Sequence, residues 1–129
     1  MSTLVEGLNG SLTVNGTFVV LLAEAEFDHS RAAKEWADMG STEPNDVLMG
    51  VNKYKLTAKH GYVNNDYQNY VRGGSALIGT LYPRGDANNY IAGTFYCNGS
   101  KISGMKHESE DPVMEDLTFI VVSVTFSSS

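Results

Sequence analysis

The stretch GVNKYKLTAKHGYVNNDYQNYVRGGSALIGTLYPRGDANNYIAGTFYCNGSKISG, residues 50–104, decides the fold. It opens with strict alternation over 51–62. Lys53, Lys55, Thr57 and Lys59 line one face, and Tyr54, Leu56 and Ala58 line the other, which is the period of a half-buried strand. The period then changes. Asp66 can cap a short helix running through Arg72, with Tyr67, Tyr70 and Val71 facing inward at i, i+3, i+4, and Gly73-Gly74 ends it. Residues 75–82 read as a strand stopped by Pro83, and 84–89 as a turn. Residues 90–97 and 101–105 read as a hairpin about Asn98-Gly99. Such a schedule describes a mainly β domain, a β-sandwich or barrel with one short flanking α-helix. Its function is expected to lie in surfaces rather than in a catalytic centre.

Outward from this stretch, residues 11–14 and 18–27 flank Asn15-Gly16 and read as a first hairpin, since both turn residues tolerate positive φ. Its second arm alternates, with Ala23, Ala25 and Phe27 on one side and Glu24, Glu26 and Asp28 on the other. After Asp28 the alternation stops. Ala33, Trp36 and Ala37 fall on one helical face, Ser30 or Asp28 could cap its start, and Gly40 is placed to end it; 41–46 has turn composition around Pro44. Residues 28–49 therefore read as a long loop with a possible short helix over 30–39. Loops of that length in a compact domain are usually functional. At the far end, an acidic connection over 107–116 leads to a strand over 117–126 that is apolar on both faces. Leu117, Phe119 and Val121 face one side; Ile120, Val122, Val124 and Phe126 face the other. Such a strand is central or covered, and in a small domain another subunit can supply the cover.

Composition narrows the classes. The 129 residues suit one domain, 1–129, with 13 Gly and 3 Pro fitting short strands and tight turns. A net charge of −6 opposes phosphate binding as a primary task. The single cysteine, Cys97, cannot form an internal disulfide and reads as a buried thiol. No apolar run approaches the ~18 residues of a membrane span, and residues 1–6 lack the basic start and apolar run of a signal peptide. The expectation is a cytoplasmically made protein without a membrane partner. The Asn-x-Ser/Thr triplets at 9, 15 and 98 are all Asn-Gly and read as turns, not glycan acceptors.

Chemistry has little to work with. His29, His60 and His107 stand near separate turns without metal-ligand spacing and read as solvated. Glu108-Ser109-Glu110-Asp111 lacks the pattern of a calcium loop, and no nucleophile elbow, GxGxxG or P-loop occurs. No catalytic, metal or cofactor residue is expected, and no small-molecule ligand. Seven tyrosines could stack on bases, but the only basic row is Lys53, Lys55 and Lys59, so half-buried structural tyrosines are the better reading. That lysine row and the acidic row Glu24, Glu26 and Asp28 can pair across neighbouring strands or between subunits, or stand as two unrelated solvated faces.

Taken in order, these features resemble the phage tail tube proteins, most strongly from Gly50 to Phe126. The matching features are an acid-bearing strand at Ala23-Glu24-Ala25-Glu26-Phe27, a long loop, and Gly50 before a strand bearing lysine and threonine. They continue with a short helix ending at Gly73-Gly74, the short strand Lys101-Ile102-Ser103-Gly104, and Glu110-Asp111-Pro112-Val113 before an apolar strand. The resemblance implies a homohexameric ring whose inner sheets join as one barrel, with rings stacked into a hollow tube. It implies a structural subunit of a virion tail, made in the host cytoplasm. Its partners would be copies of itself and other tail proteins, with DNA passing through the lumen without specific binding. Residues 28–49 would then stack ring on ring through Ala33, Trp36, Met39 and Glu43, and Glu108, Glu110, Glu115 and Asp116 would be candidate lumen acids. The alternatives are a secretion or injection-system tube subunit, another virion β-protein such as a capsid decoration or tail terminator, and a carbohydrate-binding module using Tyr and Trp36.

Overall fold

The computed structural model describes residues 10–37, 39–40, 43, 46–108 and 110–127. In chain order they form β1 (Ser11–Val14), β2 (Thr17–Phe18), β3 (Leu22–Trp36), β4 (Asp46–Gly61), α1 (Asp66–Gly73), β5 (Ala76–Tyr82), β6 (Ile91–Ser103) and β7 (Met114–Phe126). The strands make one antiparallel seven-stranded sheet in the order β2-β1-β5-β6-β7-β4-β3. The sheet curls until β1 approaches β3, which encloses one face as the core. Leu12, Leu56, Leu77, Phe95, Leu117 and Phe119 are fully buried there, each contributing about 2 kcal/mol by leaving water. Helix α1 closes the same face with Tyr67, Tyr70 and Val71, the three residues expected from its spacing.

Local chemistry sets the joints. Asn15 and Gly16 have φ of 52° and 79°, the two positive values that a type I′ turn needs. The Asn15 side chain also accepts from the Ile78 amide at 3.1 Å, which ties the turn to β5. Asn65 precedes α1 without a side-chain cap. Asn64 Oδ1 instead accepts from the Asp66 amide at 3.0 Å, so Asp66 is the first helical residue and not the cap. Gly74, in the left-handed region, ends the helix.

Several expectations are overturned. Most of the expected loop over 28–49 is strand: β3 continues to Trp36, β4 begins at Asp46, and the two pair out to Trp36↔Asp46 with a register shift between Arg31 and Ala33, while the described residues between them, 37, 39, 40 and 43, lie outside the strands. The reason is the ladder itself. Two long strands satisfy their backbone groups on each other, which outweighs the weak helical spacing of Ala33, Trp36 and Ala37. Of the turn around Pro44, residues 41, 42, 44 and 45 lie outside the described residues, as do Asn9 and Ser109. The first hairpin is shorter than expected: β2 stops at Phe18, a positive φ of 55° at Leu21 breaks the extended chain, and β3 leaves to pair with β4. Asn98-Gly99 is not a hairpin turn. Neither residue has positive φ, β6 runs through them, and they form a bulge against the long apolar partner β7. In β7 itself the positive φ of Ser123 (54°), at the register shift opposite residues 92–94, reverses the alternation. Val124 and Phe126 therefore fall on the core side, not with Ile120 and Val122. Phe126 joins Phe27, His29 and Tyr54 in a cluster with ring centroids 4.5–6.2 Å apart.

Candidate assembly interface

The four longest strands, β3, β4, β7 and β6, lie side by side, and the face they turn away from the core is open. Register places its side chains in rows. Glu24 stands opposite Lys59, Lys59 opposite Asp116, and Asp116 opposite Lys101. The next row is Glu26, Thr57, Thr118 and Gly99. The one beyond is Asp28, Lys55, Ile120 and Tyr96, and Ser30 faces Lys53. The acidic and basic rows singled out in the sequence thus sit on adjacent strands of one face. Lys101 was missed, because the expected hairpin turn at Asn98-Gly99 hid the continuity of β6.

Among the four candidate lumen acids, Glu115 is a correction. It shares the core face with Leu117 and Phe119, and none of its side chain is exposed. Its Oε1 lies 2.8 Å from His60 Nε2, and Ser100 Oγ donates to its Oε2 at 2.5 Å. Gln68 Nε2 donates to the Ser100 hydroxyl at 3.1 Å, and Tyr67 packs edge-on to the imidazole. A buried carboxylate persists only with such partners. His60 is likewise buried rather than solvated. The signal for both was in the alternation, since His60 continues Leu56 and Ala58, and Glu115 precedes Leu117 and Phe119. The arrangement does not assemble a nucleophile. The carboxylate stands between hydroxyl and imidazole, so Ser100 hydrogen-bonds to Glu115 and not to the ring. Asp116 lies on the open face, while Glu108 and Glu110 are exposed on the connection between β6 and β7.

Beyond Tyr54↔Val121, β4 loses its β7 partner, so the distal parts of β3 and β4 project as a two-stranded arm. Arg31 Nε donates to the Gly50 carbonyl, and His29 Nε2 lies 3.0 Å from Asn52 Oδ1; both brace its root. Trp36, Met39, Val47, Met49 and Val51 are exposed on it, with Ala33 opposite Met49 and Glu43 exposed beyond the strands. Where the arm leaves the body, the open face turns apolar: Ile120 and Val122 are 48% and 41% exposed, Tyr96 stands opposite Ile120, and exposed Ile78 lies beyond Thr94 in the row of Val122. A two-stranded ribbon with apolar surface on water is marginal by itself. Among the described residues, no cluster of His, Cys, Asp and Glu could hold a metal ion, and no helix is long and apolar enough to cross a membrane.

This architecture recurs in solved structures. The chain matches one from the tail of an empty gene transfer agent particle refined with C6 symmetry, at 10% identity and a TM-score of 0.75, covering 95% of this chain and 98% of that one. It matches a chain of the anti-feeding prophage tube-terminating cap at 10% identity and 0.78, over 100% and 94%. It matches the SPP1 tail tube at 10% identity and 0.71, over 97% and 80%. The fold is thus that of chains from phage-type tails and contractile injection systems. No family model matches the sequence, and no curated protein matches it.

Proposed function

We propose that this chain is the structural subunit of a phage-type tail tube, with six copies closing into a ring and rings stacking into a hollow virion tail tube. The observation that carries the proposal is the open face of four long strands ending in an unsupported arm. As a monomer the chain leaves the outer edge of the 15-residue strand β3 without a strand partner among the described residues, and an apolar ribbon in water. Natural β-proteins avoid both, and ring closure with stacking removes both. The arm is then the axial contact, through Trp36 and Met39, in place of the loop expected from sequence.

The open face of β3, β4, β7 and β6 becomes the channel wall. Its acids Glu24, Glu26, Asp28 and Asp116 are matched by Lys53, Lys55, Lys59 and Lys101. The wall is near neutral with finely alternating sign, and the net −6 is carried elsewhere on the subunit. Such a surface offers DNA no continuous attractive strip, so passage needs no specific binding. Glu108 and Glu110, at the end of the body, belong to the ring-facing surface rather than to the wall. The chain performs no catalysis and works with copies of itself and other tail proteins. Negative-stain microscopy of the purified protein tests this: long hollow tubes are the expected result, and monodisperse monomers at high concentration overturn it. The match to a tube-terminating cap supports one other reading, a terminator, which would give discrete rings that never elongate.

A further inference from the structure

The row Glu24, Lys59, Asp116, Lys101 alternates in sign and is open at both ends. Lys59 and Asp116 each have an opposite charge on either side. Glu24 does not, because β3 is the edge of the sheet. Nor does Lys101. The β5–β6 ladder ends at Ala76↔Tyr96, so among the described residues, 98–103 of β6 have a strand neighbour only in β7. An acid at one open edge and a base at the other, level in the same row, complement a second copy of this chain set side by side, head to tail.

We infer that Lys101 of one subunit pairs with Glu24 of the next, closing the row into an unbroken alternating ring around the channel. This rests on the tube proposal and adds to it which edges meet and at what register. Side chains, not a main-chain ladder, hold the seam at this height. Gln68 Nε2 donates to the Ser100 carbonyl at 3.4 Å, so α1 already occupies one outward carbonyl of the β6 edge. The rows on either side supply no competing base, since one ends at Gly99 and the other runs from Gly61 through Met114 to Ser103; the row beyond Gly99 passes Tyr96 to Ala76. Lys101 therefore sets the register.

The test is a cysteine pair, Glu24→Cys with Lys101→Cys. Within one subunit these positions are three strand spacings apart, roughly 14 Å, well beyond the ~7 Å Cα separation that a disulfide spans. Any bond between them joins two subunits. Cys97 is buried on the opposite face and stays out of the reaction. Oxidised tubes of the double variant should give a non-reducing gel ladder reaching six chains, while each single variant stays monomeric. Tubes whose double variant remains monomeric overturn the seam while leaving the tube standing. So does a Glu26→Cys/Lys101→Cys pair that cross-links when the first pair does not. A parent chain that forms neither rings nor tubes overturns both proposals. As a second measurement, the inverted row Glu24→Lys/Lys59→Glu/Asp116→Lys/Lys101→Glu should assemble with itself. It should exclude the parent chain from mixed tubes at least tenfold in a two-colour assay at low salt, because every mixed seam opposes like charges. Free co-assembly of the two overturns the inference.

Discussion

Glu115 and Gly79 show how much single residues decide in this core. Glu115 is held by His60 and Ser100 with no water contact. Glu115→Ala strands the buried imidazole and should cost about 3 kcal/mol in urea unfolding. His60→Leu with Glu115→Met should recover most of that loss, because apolar groups of similar size leave no buried imidazole unpaired and the Ser100 hydroxyl, though it loses its acceptor, still accepts from Gln68. At Gly79 a Cβ would overlap the Phe95 ring across the strand pair, so the ring lies flat over the backbone where a side chain would stand. Gly79→Ala should destabilise by about 1–3 kcal/mol through forced displacement of Phe95. Tyr67 sets an alkaline limit. Burial, then Tyr70 and Glu115, push its phenol from 10.0 up to about 12. The folded state holds that proton more tightly than the unfolded chain does. Its stabilising contribution is complete below pH 10 and is lost as pH rises to 12. Thermal melts of Tyr67→Phe should show a shallower decline across that window than the parent.

At the scale of elements, the arm and the charged rows carry the assembly argument. The arm has no core of its own; its root is braced by His29, Arg31 and the ring cluster with Tyr54 and Phe126. Replacing residues 32–51 with Asn-Gly would join Arg31 to its cross-strand neighbour Asn52 by a two-residue turn. The variant should fold, as judged by a single cooperative unfolding transition and a retained near-ultraviolet signal of the core tyrosines once the contribution of Trp36, lost with the arm, is set aside, and should no longer elongate. Long tubes from it would remove the arm from the stacking contact. For the rows, Asp28 and Lys55 are matched by register. A double-mutant cycle to alanine should return a coupling of about 0.2–1 kcal/mol in the isolated subunit. Additive losses would mean two independent solvated faces.

At the scale of the whole molecule, the proposed assembly would cover the open outer edge of β3, the exposed ribbon and the apolar patch on the open face, so that full stability is reached only among copies. Mass action then makes its melting temperature rise with protein concentration and with tube formation. Calorimetry over a hundredfold concentration range should show that rise, and a concentration-independent transition would describe a self-sufficient monomer.

The sequence alone determined much of this. The alternation of 51–62 and of Leu117, Phe119 and Val121 set which side chains enter the core. Asn15-Gly16 and Gly74 set a turn and a helix end by φ alone, and the order of elements carried the tail-tube resemblance. Those signals are local, written in a period of two or in one dihedral. Tertiary structure decided what depends on pairing. Residues 28–36 and 46–49 became strand because each arm supplies the other's hydrogen bonds, which no single-strand pattern reveals. Asn98-Gly99 became a bulge because β7 runs past it. Glu115 shares the inward parity of Leu117 and Phe119, but what makes its burial tolerable, His60 and Ser100 across two different strand pairings, only the fold assembles. The alternating row ending in Lys101 draws one residue from each of four strands, from Glu24 to Asp116 in the chain, so only register could bring it together.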